Sequence, residues 1–551
     1  MRSLRSLIRV VDHDTYQSLS TPIVRSTLIF ILLLAAFLRL YRLGGYPPLN
    51  VDEAAIGYNA WSLIQTGKDE HGNSWPLHFK SFGDYKPGGY FYLVLPLVKF
   101  LDLNEWAIRL PSALMGVATV YLVYLLAKML WQDEVLGLIW AFILSVSPWH
   151  IHFSRGGWES NAALFFTLLA TYHFFRAEKE ETRAITIHYS LFTIHSLLAM
   201  YTYHSARLVV PALVLGLAAF NRNFLWKRRK ELVAPVFISF LLVIPLAISF
   251  LKGGASARFS GVGLLADPGP LWRVNELIGQ HQKPALARLI HNKPIIYSIA
   301  FFQKYLSHFN GRFLFVDGDE VPRSKVPEMG TMYLFEFWFL ALGFWFWLKK
   351  KIDHKYLPIL WLLVAPLASA MTFQAPSALR ALPMVIPLTF FVAQGIKQIL
   401  KFKFKLKLKF KEVESEKLKL KLLALKYTQF IIQYSKYGIL ALYLWGIAYW
   451  WNQYFVHYLK RYPSAWPDFR PVAQWLKTNG DQYQKICIQG KYDQPYILTL
   501  FYLRYPPEKI QREIKLTSPD KFGFSTVKHF GKYWFSDCEQ DMFVLGIEND
   551  E

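Results

Sequence analysis

The chain alternates long apolar stretches with short polar connections. Eleven of the stretches approach the roughly 20 helical residues that cross a hydrocarbon core. They lie near 24–41, 108–128, 135–152, 160–176, 185–203, 207–220, 232–251, 331–348, 356–373, 381–399 and 427–451. The first runs into LRLYRL without a small-residue cleavage site, so we interpret it as a retained anchor rather than a signal peptide. The pattern predicts an α-helical multi-pass membrane protein.

A twelfth apolar segment, KPGGYFYLVLPLVKFL at 86–101, is shorter and contains two Pro and two Gly. Counting it as a span would put KRRK, KKK and the Lys-rich stretch outside, against the bias of Lys and Arg toward cytoplasmic loops. We therefore predict an interfacial helix there and a cytoplasmic N-terminus. The outer connections are then 42–107, 252–330 and the tail from 452. The Lys-rich stretch 400–426 is expected to be a cytoplasmic loop resting on anionic lipid.

The tail has a soluble composition. FRPVAQWLKTNG (469–480) predicts a helix ended by a glycine, and KICIQG (485–490) predicts a buried strand. These signals divide the chain into a transmembrane part, 1–451, and a small extracytoplasmic α/β domain, 452–551. We expect the tail to fold as a satellite that influences acceptor choice more than donor chemistry.

Composition narrows the function classes. Hydrophobic residues make up 53% of the 551 and charged residues 18%, which excludes a disordered chain. The net charge of +23 does not indicate nucleic-acid binding, because the charges cluster between apolar runs and no nucleic-acid module signature is present. Cys487 and Cys538 allow either one disulfide or two buried thiols.

The first outer loop holds two candidates for chemistry. Asp52 and Glu53 precede a helical pattern, where an acidic pair either caps the helix or offers a carboxylate that takes a proton from an acceptor hydroxyl. Lys86 follows Asp84 and Tyr85 just ahead of the interfacial helix. It is either a snorkelling anchor or a ligand for a lipid phosphate.

Other outer connections carry isolated charges. SPWHIHFSRGGWESNAALFF places Arg155 and Glu159 between two spans, where interfacial anchoring is the simpler explanation. Its two histidines do not indicate a metal site, because residues two apart on a helix do not share a face and no ligand set accompanies them. Arg207 and Arg380 either anchor span ends or converge with Arg155 on one anion.

The order of these motifs carries a resemblance. A first span is followed by the DE pair, a helix, YKPGGYFYL, RLPSALMG (109–116) and SRGGWESNA. This order resembles the GT-C superfamily of polyprenyl-phosphate-sugar-dependent glycosyltransferases, in the branch of the protein O-mannosyltransferases (glycosyltransferase family 39) and the lipid A aminoarabinose transferase. The match covers roughly the first 210 residues, and beyond them it rests on topology.

The resemblance implies roles for particular residues. Asp52 matches the family's catalytic carboxylate, and Glu159 stands where a second acid, usually Asp, is found. Lys86, with Tyr85 beside it, matches the lysine that contacts the donor phosphate. The family's Arg shortly after the acidic pair is missing, so another arginine is expected to supply that charge, with Arg380 and Arg155 as candidates. In this interpretation Glu53 only caps the following helix.

The sequence therefore predicts an inverting membrane glycosyltransferase that takes a sugar from a polyprenyl monophosphate and moves it to an acceptor hydroxyl on the outer face. The lipid-linked sugar is a substrate, and we expect neither a cofactor nor a divalent metal. A transferase or ligase using a diphosphate-linked donor stays open as an alternative, although the paired acids that bind a metal diphosphate are missing from the motifs. A transporter or flippase, and a non-catalytic assembly or sensor protein, are the rivals outside the enzyme class.

Overall fold

The fold is taken from a computed structural model of the chain. It describes residues 21–82, 84–251, 263–281, 284–401, 416–488, 493–518, 525–535, 538 and 542–545.

Helices occupy all eleven predicted spans. They are α1 (Thr21–Leu40), α4 (Glu105–Trp131), α5 (Glu134–Val146) with α6 (Pro148–Ser154), α7 (Glu159–Ala177), α8 (Thr182–Thr202), α9 (Ala206–Phe220), α11 (Val233–Leu251), α15 (Glu336–Lys349), α16 (Tyr356–Val364) with α17 (Leu367–Ala370), α18 (Val385–Lys401) and α19 (Glu416–Asn452). Shorter helices in the connections between these are α2 (Val51–Thr66), α3 (Gly89–Leu101), α10 (Arg222–Lys227), α12 (Pro268–Gly279), α13 (Pro284–Ile290) and α14 (Lys293–Ser307).

Length and apolar character alone separate these helices into two groups. Within the described ranges, four are long and apolar enough to cross a membrane, and α5 with α6 forms a fifth candidate bent by 61°. Several others, including α3, α9 and the α16–α17 pair, are apolar but shorter. The fold is that of a multi-helical membrane protein, and the count of eleven spans stays a prediction.

The Lys-rich stretch differs in part from the prediction of a loop over 400–426. Helix α18 continues to Lys401, and α19 already begins at Glu416, so the second half of the stretch is helical. The reason is that KLKLKLLALK, although strongly basic, contains only good helix formers and no Gly or Pro. The remainder, 402–415, lies outside the described residues.

A β-hairpin that the sequence did not predict lies between α2 and α3. Strands β1 (His78–Ser81) and β2 (Asp84–Pro87) pair antiparallel, with Phe79 opposite Lys86. Helix α3 begins two residues after the hairpin, so the Lys-Pro segment is a strand that leads into the short apolar helix expected there. The hairpin fixes the backbone on either side of Lys86.

The tail folds as an α/β unit, as its composition indicates. Its helices are α20 (Tyr458–Arg461), α21 (Arg470–Asn479), α22 (Pro495–Leu503) and α23 (Pro507–Glu513), and its strands are β3 (Ile486–Ile488), β4 (Lys515–Leu516), β5 (Val527–Phe530), β6 (Tyr533–Trp534) and β7 (Phe543–Leu545). The sheet has the order β4-β5-β6-β3-β7, and β3 runs parallel to β6 and β7. Cys487 in β3 forms a disulfide with Cys538, which decides between the two alternatives for these cysteines.

The tail does not pack as a satellite. Its apolar core is continuous with that of α2 and α3, and Ile497 and Phe501 of α22 lie in the same cluster as Ala54 and Ile56. Gly57 permits this close approach, because a Cβ atom there would lie 2.9 Å from the Phe501 ring and 2.6 Å from Ile108. Helix α2 is thus held between the membrane helices and the tail.

Candidate active site

The site begins at the N-terminus of α2. Asn50 and Glu53 form a capping box: the Asn50 side chain accepts from the Glu53 amide at 2.9 Å, and Glu53 Oε2 accepts from the Asn50 amide at 3.2 Å. Such a box satisfies two of the amide groups left open at a helix start. The geometry fixes the direction in which the two acids of the DE pair project.

Glu53 does more than cap the helix, which corrects the expectation that capping is its only role. Arg109 donates from Nε and Nη2 to the two Glu53 carboxylate oxygens, at 2.7 Å each. The Gly157 amide donates to Glu53 Oε1 at 2.8 Å. Glu53 and Arg109 are both fully buried. Three of the sequence motifs, DE, RLPS and RGGWE, therefore meet at this carboxylate.

Asp52, the other acid of the pair, faces a different partner. Its Oδ1 accepts from the ammonium of Lys86 in a direct ion pair. The Lys86 ammonium also lies 5.2 Å from the centre of the Phe82 ring. The side chain of Asp52 is 29% exposed and that of Lys86 only 9%. The structure thus joins the predicted catalytic carboxylate and the predicted phosphate ligand at one partly open position.

Arg207 is coupled to the same hairpin. Its Nη2 donates to His78 Nε2 at 2.6 Å, and its Nη1 donates to His204 Nδ1 at 3.1 Å. His204 in turn donates from Nε2 to the backbone oxygen of Tyr85 at 2.9 Å. Burial and the adjacent guanidinium lower the pKa of His78 to about 4, so the ring is neutral and accepts from Arg207. These hydrogen bonds connect the Arg207 guanidinium to His78 of β1 and, through His204, to Tyr85 of β2, the residue that precedes Lys86.

Arg155 is placed elsewhere, which corrects its assignment to the donor phosphate. It is fully buried, and its guanidinium donates to the backbone oxygens of Leu38, Arg39 and Tyr41 at 2.8, 3.2 and 2.7 Å. These carbonyls lie at the end of α1, where a helix leaves its last acceptors open. Arg155 therefore ties the end of the first span to the α6–α7 connection and is not available to a lipid phosphate.

The remaining two predicted residues lie at other helix ends. Glu159 is the first residue of α7. The pKa of the Tyr90 phenol in α3 is raised first by burial, and also by the negative charges of Glu53 and Glu159. Arg380 donates to the backbone oxygen of Gln374 at 3.0 Å and lies close enough to Asp319 to oppose the rise in that residue's pKa. Their roles in catalysis stay predictions.

Glu70 is a feature that the sequence analysis missed. It is fully buried, and its Oε1 lies 3.6 Å from Nε2 of His71, a histidine whose own pKa is lowered by burial. Burial raises its pKa to about 8, against the opposing effects of Asn59, Lys86 and Tyr496. Glu70 is therefore mainly protonated at neutral pH. In the sequence Glu70 is an acidic residue between two glycines, a pattern that is equally typical of a solvated loop, so nothing local indicated its burial.

The two histidines before Arg155 have structural partners. His150 Nδ1 lies 2.8 Å from Arg39 Nη2, and His152 Nε2 lies 2.8 Å from the backbone oxygen of Arg323. Across the described ranges, no group of three or more His, Cys, Asp or Glu side chains is arranged to hold a metal ion.

Comparison with known proteins gives one family match and several solved structures of similar fold. Residues 86–248 match the model of the dolichyl-phosphate-mannose-protein mannosyltransferase family. A search of curated protein sequences found no match. Among solved structures, ArnT from Cupriavidus metallidurans bound to undecaprenyl phosphate is 11% identical over 89% of this chain and 86% of that chain, with a TM-score of 0.52.

A second structure of similar fold is the archaeal oligosaccharyltransferase AglB from Archaeoglobus fulgidus, in complex with an inhibitory peptide and a dolichol-phosphate. It is 12% identical over 87% of this chain and 64% of that chain, with a TM-score of 0.50. At these identities the structures establish a shared fold. Together with the family match they confirm the resemblance stated above, to membrane glycosyltransferases of the GT-C type.

Proposed function

We propose that this protein transfers a sugar from a polyprenyl monophosphate to an acceptor hydroxyl, with inversion at the anomeric carbon. The observation that carries the proposal is the contact between Asp52, at the start of α2, and Lys86. It unites a group that takes a proton with a group that binds a phosphate. The matched family is named for a dolichyl-phosphate-linked donor, and ArnT was solved with undecaprenyl phosphate, which supports the donor class.

The reaction needs one proton transfer and one substitution. Asp52 accepts the proton of the acceptor hydroxyl while the oxygen attacks the anomeric carbon. The bond between that carbon and the phosphate oxygen breaks on the opposite face, and the electron pair leaves with the lipid phosphate. A single displacement of this kind inverts the anomeric configuration.

Lys86 neutralises the charge that grows on the leaving phosphate. Its ammonium acts as a point charge. The attraction between this charge and the phosphate strengthens as the bond breaks, because negative charge builds up on the phosphate oxygens. Without donor, Lys86 is paired with Asp52, so an arriving phosphate competes with the carboxylate for the ammonium. Donor binding therefore releases Asp52 for its task as a base. Arg207, which donates a hydrogen bond to His78 of the same hairpin, adds a second positive charge.

A diphosphate-linked donor is the second candidate, favoured by the fold shared with an oligosaccharyltransferase. The monophosphate is preferred because Lys86 and Arg207 can supply the neutralisation that a monophosphate leaving group needs. The two candidates differ in their expected response to chelators, because only the diphosphate-linked donor would require a divalent metal.

The proposed location is the plasma or inner membrane, with the N-terminus cytoplasmic and the active site and residues 452–551 outside. The division into parts 1–451 and 452–551 is proposed with it. The support is the distribution of Lys and Arg over alternate connections. Single cysteines in a Cys-free background test it. An impermeant maleimide should label position 464 and not position 415, and the reverse pattern would require a redrawn topology.

Transfer by the purified protein tests the function itself. Full-length protein in proteoliposomes is given a radiolabelled sugar on undecaprenyl phosphate, together with the envelope fraction as acceptor. The proposal expects labelled acceptor and free undecaprenyl phosphate in equal amounts. Consumption of a diphosphate-linked donor alone would favour the second candidate, and movement of intact donor across the bilayer would favour a flippase.

A further inference from the structure

A cavity of about 290 Å³ lies where the start of α2 meets the tail. Residues 49–51 form one wall and residues 321–323 form a second. The tail closes the cavity with Ser464, Asp493 and Leu498, among others. Because the first wall ends one residue before Asp52, the cavity lies beside the proposed catalytic pair.

The walls are mainly apolar and carry one pair of opposite charges. Arg323 Nη1 lies 3.6 Å from Asp493 Oδ2, and the two side chains are 31% and 60% exposed. The backbone of Arg323 is held firmly, since its carbonyl oxygen accepts from Tyr458 at 3.2 Å and lies 2.8 Å from His152 Nε2. The pair therefore presents a donor and an acceptor at a fixed place, and both remain open to a ligand.

Asp493 lies within electrostatic reach of the catalytic pair. Its pKa is raised by partial burial and by the negative charge of Asp52, and it is lowered by Arg323 and by Lys86. The tail thus contributes a charged group to the surroundings of the proposed active site.

We propose that this cavity binds the acceptor, and that Arg323 and Asp493 select an uncharged, hydroxyl-bearing group. The proposal rests on the function proposed above. A neutral polar group can accept from Arg323 and donate to Asp493 at the same time. An anionic group would face both Asp493 and Asp52, and such juxtaposition of like charges disfavours the wrong partner.

The size of the cavity limits what enters. At about 290 Å³ it lies at the lower end of small-ligand sites. It therefore takes the part of the acceptor around the reactive hydroxyl, and the rest of the acceptor lies outside. The apolar walls exclude water from that hydroxyl, which limits hydrolysis of the donor.

The test uses full-length protein, undecaprenyl-phosphate-linked radiolabelled sugar and three acceptor probes. They are a Ser- and Thr-containing neutral peptide, a neutral oligosaccharide and a phosphorylated glycolipid. The variants are Asp493→Asn and Arg323→Gln. The matched control is Asp481→Asn, which neutralises an exposed ion pair with Lys532 in the same domain but outside the cavity.

We expect each cavity variant to raise the KM for a neutral probe by roughly tenfold, because each loses one hydrogen bond to a charged group. The KM for the donor should change by no more than about twofold, since these residues do not contact the donor in this proposal. The control should leave both constants unchanged. The exchanged pair, Arg323→Asp with Asp493→Arg, restores the ion pair but inverts the positions of donor and acceptor. Transfer should stay impaired in the exchanged pair if the residues recognise the acceptor.

Three results would overturn the inference: recovery of transfer in the exchanged pair, an effect on the donor KM alone, or use of only the phosphorylated probe. Equilibrium binding of labelled neutral probes without donor separates this inference from the proposed function. A wild type that binds a neutral probe through Arg323 and Asp493 but transfers no sugar keeps the cavity assignment and refutes the function. If the wild type and all variants transfer sugar equally well, the proposed function stands and the cavity assignment is refuted.

Discussion

The substitution Glu53→Gln should destabilise the fold, although Glu53 lies beside the proposed catalytic residue. Removing the charge leaves the Arg109 guanidinium buried without its counter-ion. Removing one partner of a buried pair costs about 3–5 kcal/mol. Arg109 keeps the backbone oxygens of Leu43, Pro47 and Pro48 as partners, at 2.9–3.1 Å, so we expect the lower end of that range. Capping alone would contribute about 1 kcal/mol.

Unfolding in mixed detergent micelles, titrated with SDS, measures this difference. The control is the double variant Glu53→Gln with Arg109→Gln, which removes both charges. Because the double variant leaves no unpaired buried charge, its loss of stability should be smaller than the sum of the two single losses. A loss near 1 kcal/mol for Glu53→Gln, with additive behaviour of the pair, would refute the role assigned to this buried contact.

Three further predictions follow from the site. Lys86→Ala should weaken binding of undecaprenyl phosphate and also lower turnover, because the leaving phosphate gains charge during the reaction; an unchanged Kd would remove Lys86 from the donor site. Sugar transfer should survive excess EDTA, and abolition that manganese or magnesium reverses would favour the diphosphate donor. Glu70 keeps its proton up to about pH 8 in the folded protein but ionises near 4.5 when unfolded. Its stabilising contribution is therefore complete below pH 4.5 and is lost as the pH rises through 8. Glu70→Gln should consequently lose less thermal stability than wild type between pH 6 and pH 9, and parallel losses would contradict the assignment.

The parts of the structure that local pattern determines were predictable. The positions of the long apolar helices could be predicted from the apolar runs. The start of α2 could be predicted from the DE pair, which stands ahead of a helical pattern. The hairpin around Lys86 was missed, because Pro87 and the following glycines resemble the entry to a loop or an interfacial helix. The sequence nevertheless singled out Lys86 and Asp52, which the structure brings into contact, while the role of Lys86 in binding phosphate stays a prediction.

Contacts between distant segments were not predictable. Arg155 has the sequence context of an exposed outer loop, yet it is buried under the end of α1. Glu53 has the spacing of a helix cap, and nothing local indicates that Arg109 reaches it. The approach of Asp493 to Asp52 depends on the core shared by α2 and α22. Such pairings are set by tertiary packing, which periodicity and charge do not encode.

The most direct test of the central claim is single-turnover sugar transfer by Asp52→Asn with a defined undecaprenyl-phosphate-linked donor. Asparagine keeps the shape of the side chain and cannot accept the proton. The account predicts a fall in rate of roughly a hundred- to ten-thousand-fold, the usual contribution of a general base, while the protein remains folded and still binds undecaprenyl phosphate. Transfer at the wild-type rate by Asp52→Asn would contradict the account.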